Sequence, residues 1–268
     1  MLTFIFVNNQ NFIQPLEKAF PNYIIKPWNY ETDFTPYQQN SLVLASSDKE
    51  LTYLSHNHLP TIAYGTPNDT NHLFGSDYLV DSLEELDSAL LETVFCRYHH
   101  IPLTIAKHKD FVLREIAFSD LDSLWQLYDK ERNNPSINWF PFSPENKTER
   151  ELFYQYISDS YRFYQYGLWG VFSPNTNILM GHCGIVNINI ENDFCLELCY
   201  FIGDKFRRKH LAFHACQSII DYCKKMKLTT MLYARILKDN TPSIGLASTL
   251  GFSMIQSLED YDLYGLPL

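Results

Sequence analysis

The segment from Cys195 to Lys225 constrains the fold of this chain more than any other. It reads as a buried apolar strand, a short basic turn and a long amphipathic helix. The first N–H groups of a helix have no internal partner and carry partial positive charge. Because Arg207, Arg208 and Lys209 add full charges beside them, the turn Arg207–Ala212 is predicted to bind a phosphate-bearing ligand. A solvated basic surface turn is the alternative.

Composition indicates a globular protein without a membrane span. The chain has 268 residues, of which 46% are hydrophobic and 15% aromatic, enough for one large domain or two small ones. No apolar run approaches the roughly 18–20 residues that cross a bilayer, and the N-terminus lacks the features of a secretory signal. The six cysteines show no zinc-type spacing. We expect reduced thiols and a cytoplasmic location.

Charge is distributed unevenly and indicates two domains. The chain up to Ile105 has twelve acidic and four basic residues, a net charge of −8, whereas the remainder has 19 acidic and 17 basic residues, a net charge of −2. A protein that binds a phosphate backbone is expected to carry a basic face. Nucleic acid is therefore not an expected partner.

Residues 1–105 are predicted to form a small three-layer α/β domain with a mainly parallel sheet. Short apolar runs at Leu2–Val7, Ser41–Ala45 and Thr61–Tyr64 alternate with helical patterns. Ser82 and Glu85 have the spacing of a capping box, which predicts a helix from there to about Tyr98. The sequence does not disclose a function for this domain.

The connector to the second domain, residues 106–268, is predicted within Ile101–Lys109. His99, His100 and His108 lie around it, but they lack the helical i, i+4 spacing that aligns metal ligands. No metal site is predicted. Beyond the connector the pattern reads strand, helix, helix, hairpin, strand, basic turn, helix, strand, helix, strand.

Three segments resemble the GCN5-related N-acetyltransferase (GNAT) family. Trp169–Ile188 is similar to its central hairpin and carries Gly181 and Gly184 near the start of an apolar run. Leu196–Ala212 resembles its fourth strand and acetyl-CoA turn. Asp239–Phe252 resembles the ending of the branch that acetylates ribosomal-protein N-termini. The resemblance covers about residues 110–268 and implies the family's acetyltransferase fold there, a mixed, mostly antiparallel sheet flanked by helices.

The resemblance implies acetyl-CoA as co-substrate, held where the fourth and fifth strands separate. It implies that the turn's N–H groups and basic side chains bind the pyrophosphate, and that a strand end and two helix residues contact the rest of the cofactor. Carried over, the cofactor-binding residues are Tyr200, Phe201, Ile202, Arg207, Arg208, Lys209, His210, Leu211, Ala212, Asn240 and Ser243. A hydrogen bond at the helix start is the alternative role for Asn240 and Ser243.

Two positions depart from the family pattern. The turn has His210 where the family has a central glycine, and a residue other than glycine can adopt a helical φ there. Ala247 stands where many members have a tyrosine that protonates the leaving thiolate. If the tail folds back, Tyr261 or Tyr264 takes that role, and Tyr264 is the predicted catalytic acid.

Acetyl transfer to an amine needs a neutral amine, a polarised thioester carbonyl and a proton for the departing sulfur. Glu197 on the fourth strand is the predicted general base, with an acid facing a solvated groove as the alternative. His182 is a weaker candidate for that role. Cys199 has no histidine and carboxylate paired with it in the sequence pattern, so a covalent acyl-enzyme is not expected.

The resemblance therefore predicts an acetyl-CoA-dependent N-acetyltransferase. Its acceptor is an amine on a small molecule or a protein N-terminus, and the sequence does not indicate the oligomeric state. The alternative is a non-catalytic module that keeps the fold to sense an acyl-CoA or to hold a partner, an idea motivated by His210 and Ala247.

Overall fold

The computed structural model describes residues 1–65, 72–73, 75–129 and 147–268. It divides into two compact units, Met1–Leu103 and Thr104–Leu268. The segment Thr104–His108, which falls in the predicted connector, is a strand of the second unit, so the division lies slightly before residue 105. None of the described helices is long and apolar enough to cross a membrane.

The first unit is a parallel sheet buried on both faces. Its strands follow the order β2-β1-β3-β4-β5, and every pair is parallel. Separate apolar clusters cover the two faces, one around Ile5 and Leu42 and the other around Phe6 and Val43. These features confirm the predicted three-layer α/β arrangement. The elements are β1 (Phe4–Val7), α1 (Ile13–Ala19), β2 (Ile24–Pro27), β3 (Ser41–Ala45), α2 (Asp48–His56), β4 (Thr61–Tyr64), β5 (Leu79–Val80) and α3 (Ser88–Tyr98).

The start of α3 differs from the prediction. Ser82 accepts a hydrogen bond from Glu84 N and caps only a short 3-10 turn, Leu83–Glu85. The helix proper begins at Ser88, because the side chain of Asp87 accepts from Leu90 N. The capping box therefore predicted the wrong N-cap: Asp87 supplies the cap that the helix uses.

The second unit is built on an eight-stranded sheet in the described residues, in the order β12-β13-β11-β10-β9-β8-β7-β6. Only β10 and β11 are parallel; the other neighbours are antiparallel. This confirms the predicted mixed, mostly antiparallel sheet. The elements are β6 (Thr104–His108), β7 (Phe111–Arg114), α4 (Leu121–Asp129), α5 (Lys147–Tyr164), β8 (Leu168–Phe172), β9 (Leu179–Ile190), β10 (Asp193–Ile202), α6 (Leu211–Met226), β11 (Met231–Leu237), α7 (Thr241–Thr249), β12 (Ser253–Ser257) and β13 (Tyr261–Pro267).

Two glycines of β9 permit close packing at the centre of this sheet. A Cβ on Gly184 would lie 2.0 Å from the carbonyl oxygen of Gly167, and one on Gly181 would lie 2.1 Å from that of Phe201. Real Cβ atoms do not approach backbone so closely. Glycine is therefore required at both positions for β9 to lie against its neighbours.

Candidate active site

The central feature of the second unit is that two neighbouring strands, β10 and β11, separate along their length. They are the only parallel pair among the described strands of this sheet. β10 and β11 pair at Leu196 with Leu232 and at Glu197 with Tyr233, and no further pair follows. β10 continues to Ile202 with no neighbour on that side among the described strands. The two strands thus form a V whose vertex is at Glu197.

The V opens into a cleft of about 350 Å³. β10, β11 and α7 contribute most of its lining, and that lining is mainly apolar with a few polar groups. This composition suits the arm of a thioester cofactor, which is largely apolar but carries amides. The lining residues are Glu197, Leu198, Cys199, Tyr200, Ala234, Arg235, Ile236, Leu237, Asn240, Ser243, Leu246, Ala247, Leu250, Phe252 and Tyr261.

The turn beyond β10 adopts a conformation that suits glycine. His210 has φ 57° and ψ 11°, in the left-handed region, and Arg208 also has a positive φ of 62°. His210 therefore does not take the right-handed helical φ that was open to a residue other than glycine. The chain retains the backbone conformation that the family's glycine would favour and accepts the strain of a side chain there.

Backbone N–H groups are available at the start of α6. Those of Arg208, Lys209, His210, Leu211 and Ala212 donate to no acceptor in the described residues. Five N–H groups and the positive end of a 16-residue helix can satisfy phosphate oxygens. By this test the turn fits a pyrophosphate, even without the central glycine.

The basic side chains of the turn divide into two groups. Arg207 is tied to the strand end, because its Nε donates to the Ile202 carbonyl at 2.8 Å and its Nη1 lies 3.8 Å from Asp204 Oδ1. Arg208 and Lys209 are exposed and form no ion pair with a described residue. Arg207 therefore holds the turn against β10, and the other two are the cations open to a phosphate.

A hydrogen-bonded bridge crosses the cleft from β10 to α7. Tyr200 Oη lies 2.8 Å from Ser243 Oγ, and Asn240 Oδ1 accepts from Ser243 N at 3.3 Å. Asn240 thus caps α7, which is the alternative role predicted for it. Burial raises the pKa of Tyr200 to about 12, so its hydroxyl stays protonated at neutral pH.

Glu197, at the vertex, forms a hydrogen-bonded ion pair with Arg235. Its Oε1 accepts from Arg235 N at 2.9 Å and from Nε at 3.0 Å, and its Oε2 accepts from Nη2 at 2.7 Å. The hydrogen bonding of its guanidinium to the Glu197 carboxylate raises the pKa of Arg235 in turn. A carboxylate held this way is poorly placed to take a proton from an amine, so the geometry disfavours the predicted general base.

Tyr264 does not fit the predicted role of catalytic acid. It lies on β13 opposite Ala234 and Met254, and it is 8% exposed within the main core. Tyr261, the first residue of the same strand, lines the cleft instead. The C-terminal tail does fold back onto the sheet as β13. Because side chains alternate between the two faces of a strand, Tyr264 points away from the face on which Tyr261 meets the cleft.

Two other predicted residues lie behind the cleft. Phe201 is buried and stacks on Tyr128 of α4, so only its backbone faces the cofactor side. His182, on β9 opposite Phe201, shares a hydrogen bond with the Tyr128 hydroxyl. Burial lowers the pKa of His182 to about 3, which keeps the ring neutral. His182 does not line the cleft and has no access to an acceptor amine through it.

Cys199 lines the cleft beside Glu197. Burial raises the pKa of its thiol well above the ordinary value, so it is not an activated nucleophile. The described residues contain no group of three His, Cys, Asp or Glu side chains arranged to hold a metal ion.

The sequence interpretation missed Arg235 and gave Tyr261 only as an alternative. The available signal was a lone arginine within the apolar strand MLYARIL, the counterpart of Glu197, the one acid inside the apolar part of β10. Single opposite charges on neighbouring apolar strands indicate a buried pair. Their pairing depends on strand order, which a local pattern does not give.

The comparisons with known proteins agree on the second unit. Residues 110–253 match the acetyltransferase (GNAT) domain. The N-acetyltransferase p20 of Bacillus licheniformis is 29% identical over 150 residues, which cover 56% of this chain and 83% of that protein.

Solved structures show the same fold. An acetyltransferase from Agrobacterium tumefaciens superposes with a TM-score of 0.51 at 14% identity, covering 61% of this chain and 94% of the other. RimL, a ribosomal alpha-N-protein acetyltransferase, superposes with a TM-score of 0.53 at 18% identity, covering 63% and 97%. A second RimL structure holds coenzyme A. Because the domain match spans more than half of the chain, this protein belongs to the GNAT family of acetyl-CoA-dependent acetyltransferases.

Proposed function

We propose that this acetyltransferase transfers the acetyl group of acetyl-CoA to an amine of a small molecule or of a protein N-terminus. The observation that carries the proposal is the V between β10 and β11, with N–H groups at its wide end that donate to no described residue. The V offers a seat for the thioester arm, and the start of α6 offers one for the pyrophosphate.

The cofactor would extend from the turn to the vertex. The pyrophosphate would accept from the N–H groups of Arg208–Ala212, with the Arg208 and Lys209 side chains close by. The pantetheine amides would pair with the open backbone edge of Tyr200–Ile202. The thioester would then lie near Glu197, where the strands meet.

The hydroxyl pair of Tyr200 and Ser243 is the best-placed proton donor for the leaving sulfur. In the transfer the amine nitrogen bonds to the acetyl carbon, the carbon–sulfur bond breaks, and the thiolate takes a proton from this pair. Because the pKa of Tyr200 is raised to about 12, the donor keeps its proton throughout the neutral range. The nitrogen releases its own proton to water, and the hydroxyl pair regains a proton from the solvent, which restores the starting state.

The acceptor is proposed by its chemistry, as an amine, and not as a particular substrate. RimL acts on a protein α-amine, so peptides with free N-termini are tested beside small amines. The six cysteines are free of disulfides, which supports the cytoplasm as the compartment in which the protein works.

The test is release of CoA thiol from acetyl-CoA over a panel of small amines and unblocked peptides. We expect thiol release and an acetylated product with at least one amine, and none with a peptide whose amine is blocked. Tight binding of acetyl-CoA with no product from any amine would instead support the acyl-CoA sensor. The preserved turn conformation at His210 removes one motive for that alternative.

A further inference from the structure

We propose that Glu197 and Arg235 act as one positioning unit at the vertex of the V, and that Glu197 takes no proton from the acceptor. The inference rests on the proposed function, since it concerns the same cleft. Glu197 and Arg235 lie 38 residues apart in the sequence, so a local sequence pattern does not connect them. Three features of the pair support it.

The first feature is the place of the pair in the strand ladder. Glu197 belongs to the last residue pair between β10 and β11, and Arg235 lies two residues past the matching point on β11. The backbone N–H of Arg235 donates to Glu197 Oε1 at 2.9 Å instead of to a strand carbonyl. The carboxylate therefore satisfies an N–H group that the separation of the strands leaves without a ladder partner.

The second feature is the difference in burial. The Glu197 side chain is 7% exposed and the Arg235 side chain 43%. The buried carboxylate accepts two charge-assisted hydrogen bonds from the guanidinium, and removal of either side chain would leave the other without them. A general base needs a free lone pair aimed at the acceptor, whereas both oxygens of this carboxylate already accept hydrogen bonds from Arg235.

The third feature is the donor that Arg235 has left over. Its Nε and Nη2 bind Glu197, but Nη1 donates to no described residue. Arg235 also lines the cleft, and its guanidinium lies 6.0 Å from the centre of the Tyr261 ring. Glu197 thus fixes one edge of the planar Arg235 guanidinium, so that the other edge, with Nη1, faces oxygen atoms of the bound reactants.

The pH dependence of kcat/KM distinguishes a positioning carboxylate from a general base. With no carboxylate base, the acidic limb of kcat/KM follows the acceptor amine's own pKa and shifts when an amine of different pKa is used. A protein base would give a limb that stays at one pH for every acceptor.

The experiment is a double-mutant cycle on the full chain, with the Kd for acetyl-CoA measured by calorimetry. The variants are Glu197→Gln, Arg235→Met and the double variant, with Arg235→Lys as the conservative replacement. Each single change is expected to weaken binding about five- to tenfold, and the double change by little more than one of them. Lysine keeps the charge without the fork and should fall between arginine and methionine.

Asp120→Asn is the matched control. It breaks another two-point ion pair, that of Arg114 and Asp120, which does not line the cleft. We expect it to lower the melting temperature while it leaves the Kd for acetyl-CoA unchanged. Thermal melting of every variant separates loss of folding from loss of positioning.

Three outcomes overturn the inference: additive single effects, normal acetyl-CoA binding by Glu197→Gln together with lost turnover, or an acidic limb that disappears in that variant. Failure of the wild-type chain to bind acetyl-CoA is a different result. It would overturn the proposed function itself, and the positioning role with it.

Discussion

At the scale of single residues, His210 shows how a binding turn keeps its shape without its usual glycine. The residue has a left-handed φ of 57° immediately before α6, and it is exposed. A left-handed conformation is unfavourable for a residue with a Cβ atom by roughly 1–2 kcal/mol. The turn is therefore formed but strained, with the strain located where a phosphate would approach.

His210→Gly is expected to stabilise the protein by about 1 kcal/mol, because it removes the strained Cβ atom. It should also bind acetyl-CoA at least as tightly as the wild type, since the N–H group keeps its place. Chemical denaturation and calorimetric titration measure the two effects. His210→Ala retains a Cβ atom and should not gain stability; an equal gain in both variants would contradict the strain argument.

His182 makes the stability of the fold depend on pH. Burial lowers its folded pKa to about 3, below its ordinary value of 6.5. The unfolded chain therefore binds the proton first as pH falls. The stabilising contribution of the neutral ring is complete above about pH 6.5 and is lost progressively as pH falls toward 3.

His182→Gln should flatten this dependence, because glutamine does not titrate and can still share a hydrogen bond with Tyr128. Between pH 7 and pH 5 the wild type should lose about 2 kcal/mol more stability than the variant. Denaturation curves at the two pH values measure the difference. Parallel losses would show that His182 accepts its proton in the folded state.

At the scale of elements, sequence patterns predicted the strand, turn and helix around residues 195–225 because the periodicity of a single segment is a local property. They did not predict that Glu197 pairs with Arg235, which lies 38 residues further along the chain. That contact depends on which strands become neighbours and where they part. The same limit explains Tyr264, whose direction depends on the register of β13 against β11.

The central hairpin offers a direct test of close packing. Gly184→Ala would place a Cβ atom 2.0 Å from the Gly167 carbonyl oxygen, so the strands must move apart. We expect a loss of at least about 3 kcal/mol in the free energy of unfolding.

Gly245→Ala is the matched substitution, since a Cβ atom at this exposed position of α7 meets nothing within 4 Å. Alanine is a better helix former there and should add about 0.5–1 kcal/mol of stability. Thermal or chemical unfolding compares the two. A tolerated alanine at Gly184 would show that the strands lie further apart than described.

At the scale of the whole molecule, the uneven charge indicated two parts, and the structure forms two compact units. All residues of the cleft lie in Thr104–Leu268, which also contains an apolar cluster of its own. The role of Met1–Leu103 did not follow from the sequence, because its turns carry no motif with a defined chemistry.

A fragment of residues 104–268 should therefore fold and bind acetyl-CoA with the Kd of the full chain, within about twofold. Calorimetric titration of both proteins is the measurement. A much weaker fragment would mean that the first unit contributes to the cofactor site. If binding is equal but acceptor preference changes, the first unit acts on the acceptor.

The most direct test of the account is a crystal structure of the full chain with acetyl-CoA. It should show pyrophosphate oxygens within about 3 Å of backbone nitrogens in Arg208–Ala212, with His210 still left-handed. The thioester should lie at the vertex, beside an intact Glu197–Arg235 pair. A pyrophosphate bound away from the start of α6, or a cofactor outside the V of β10 and β11, would contradict it.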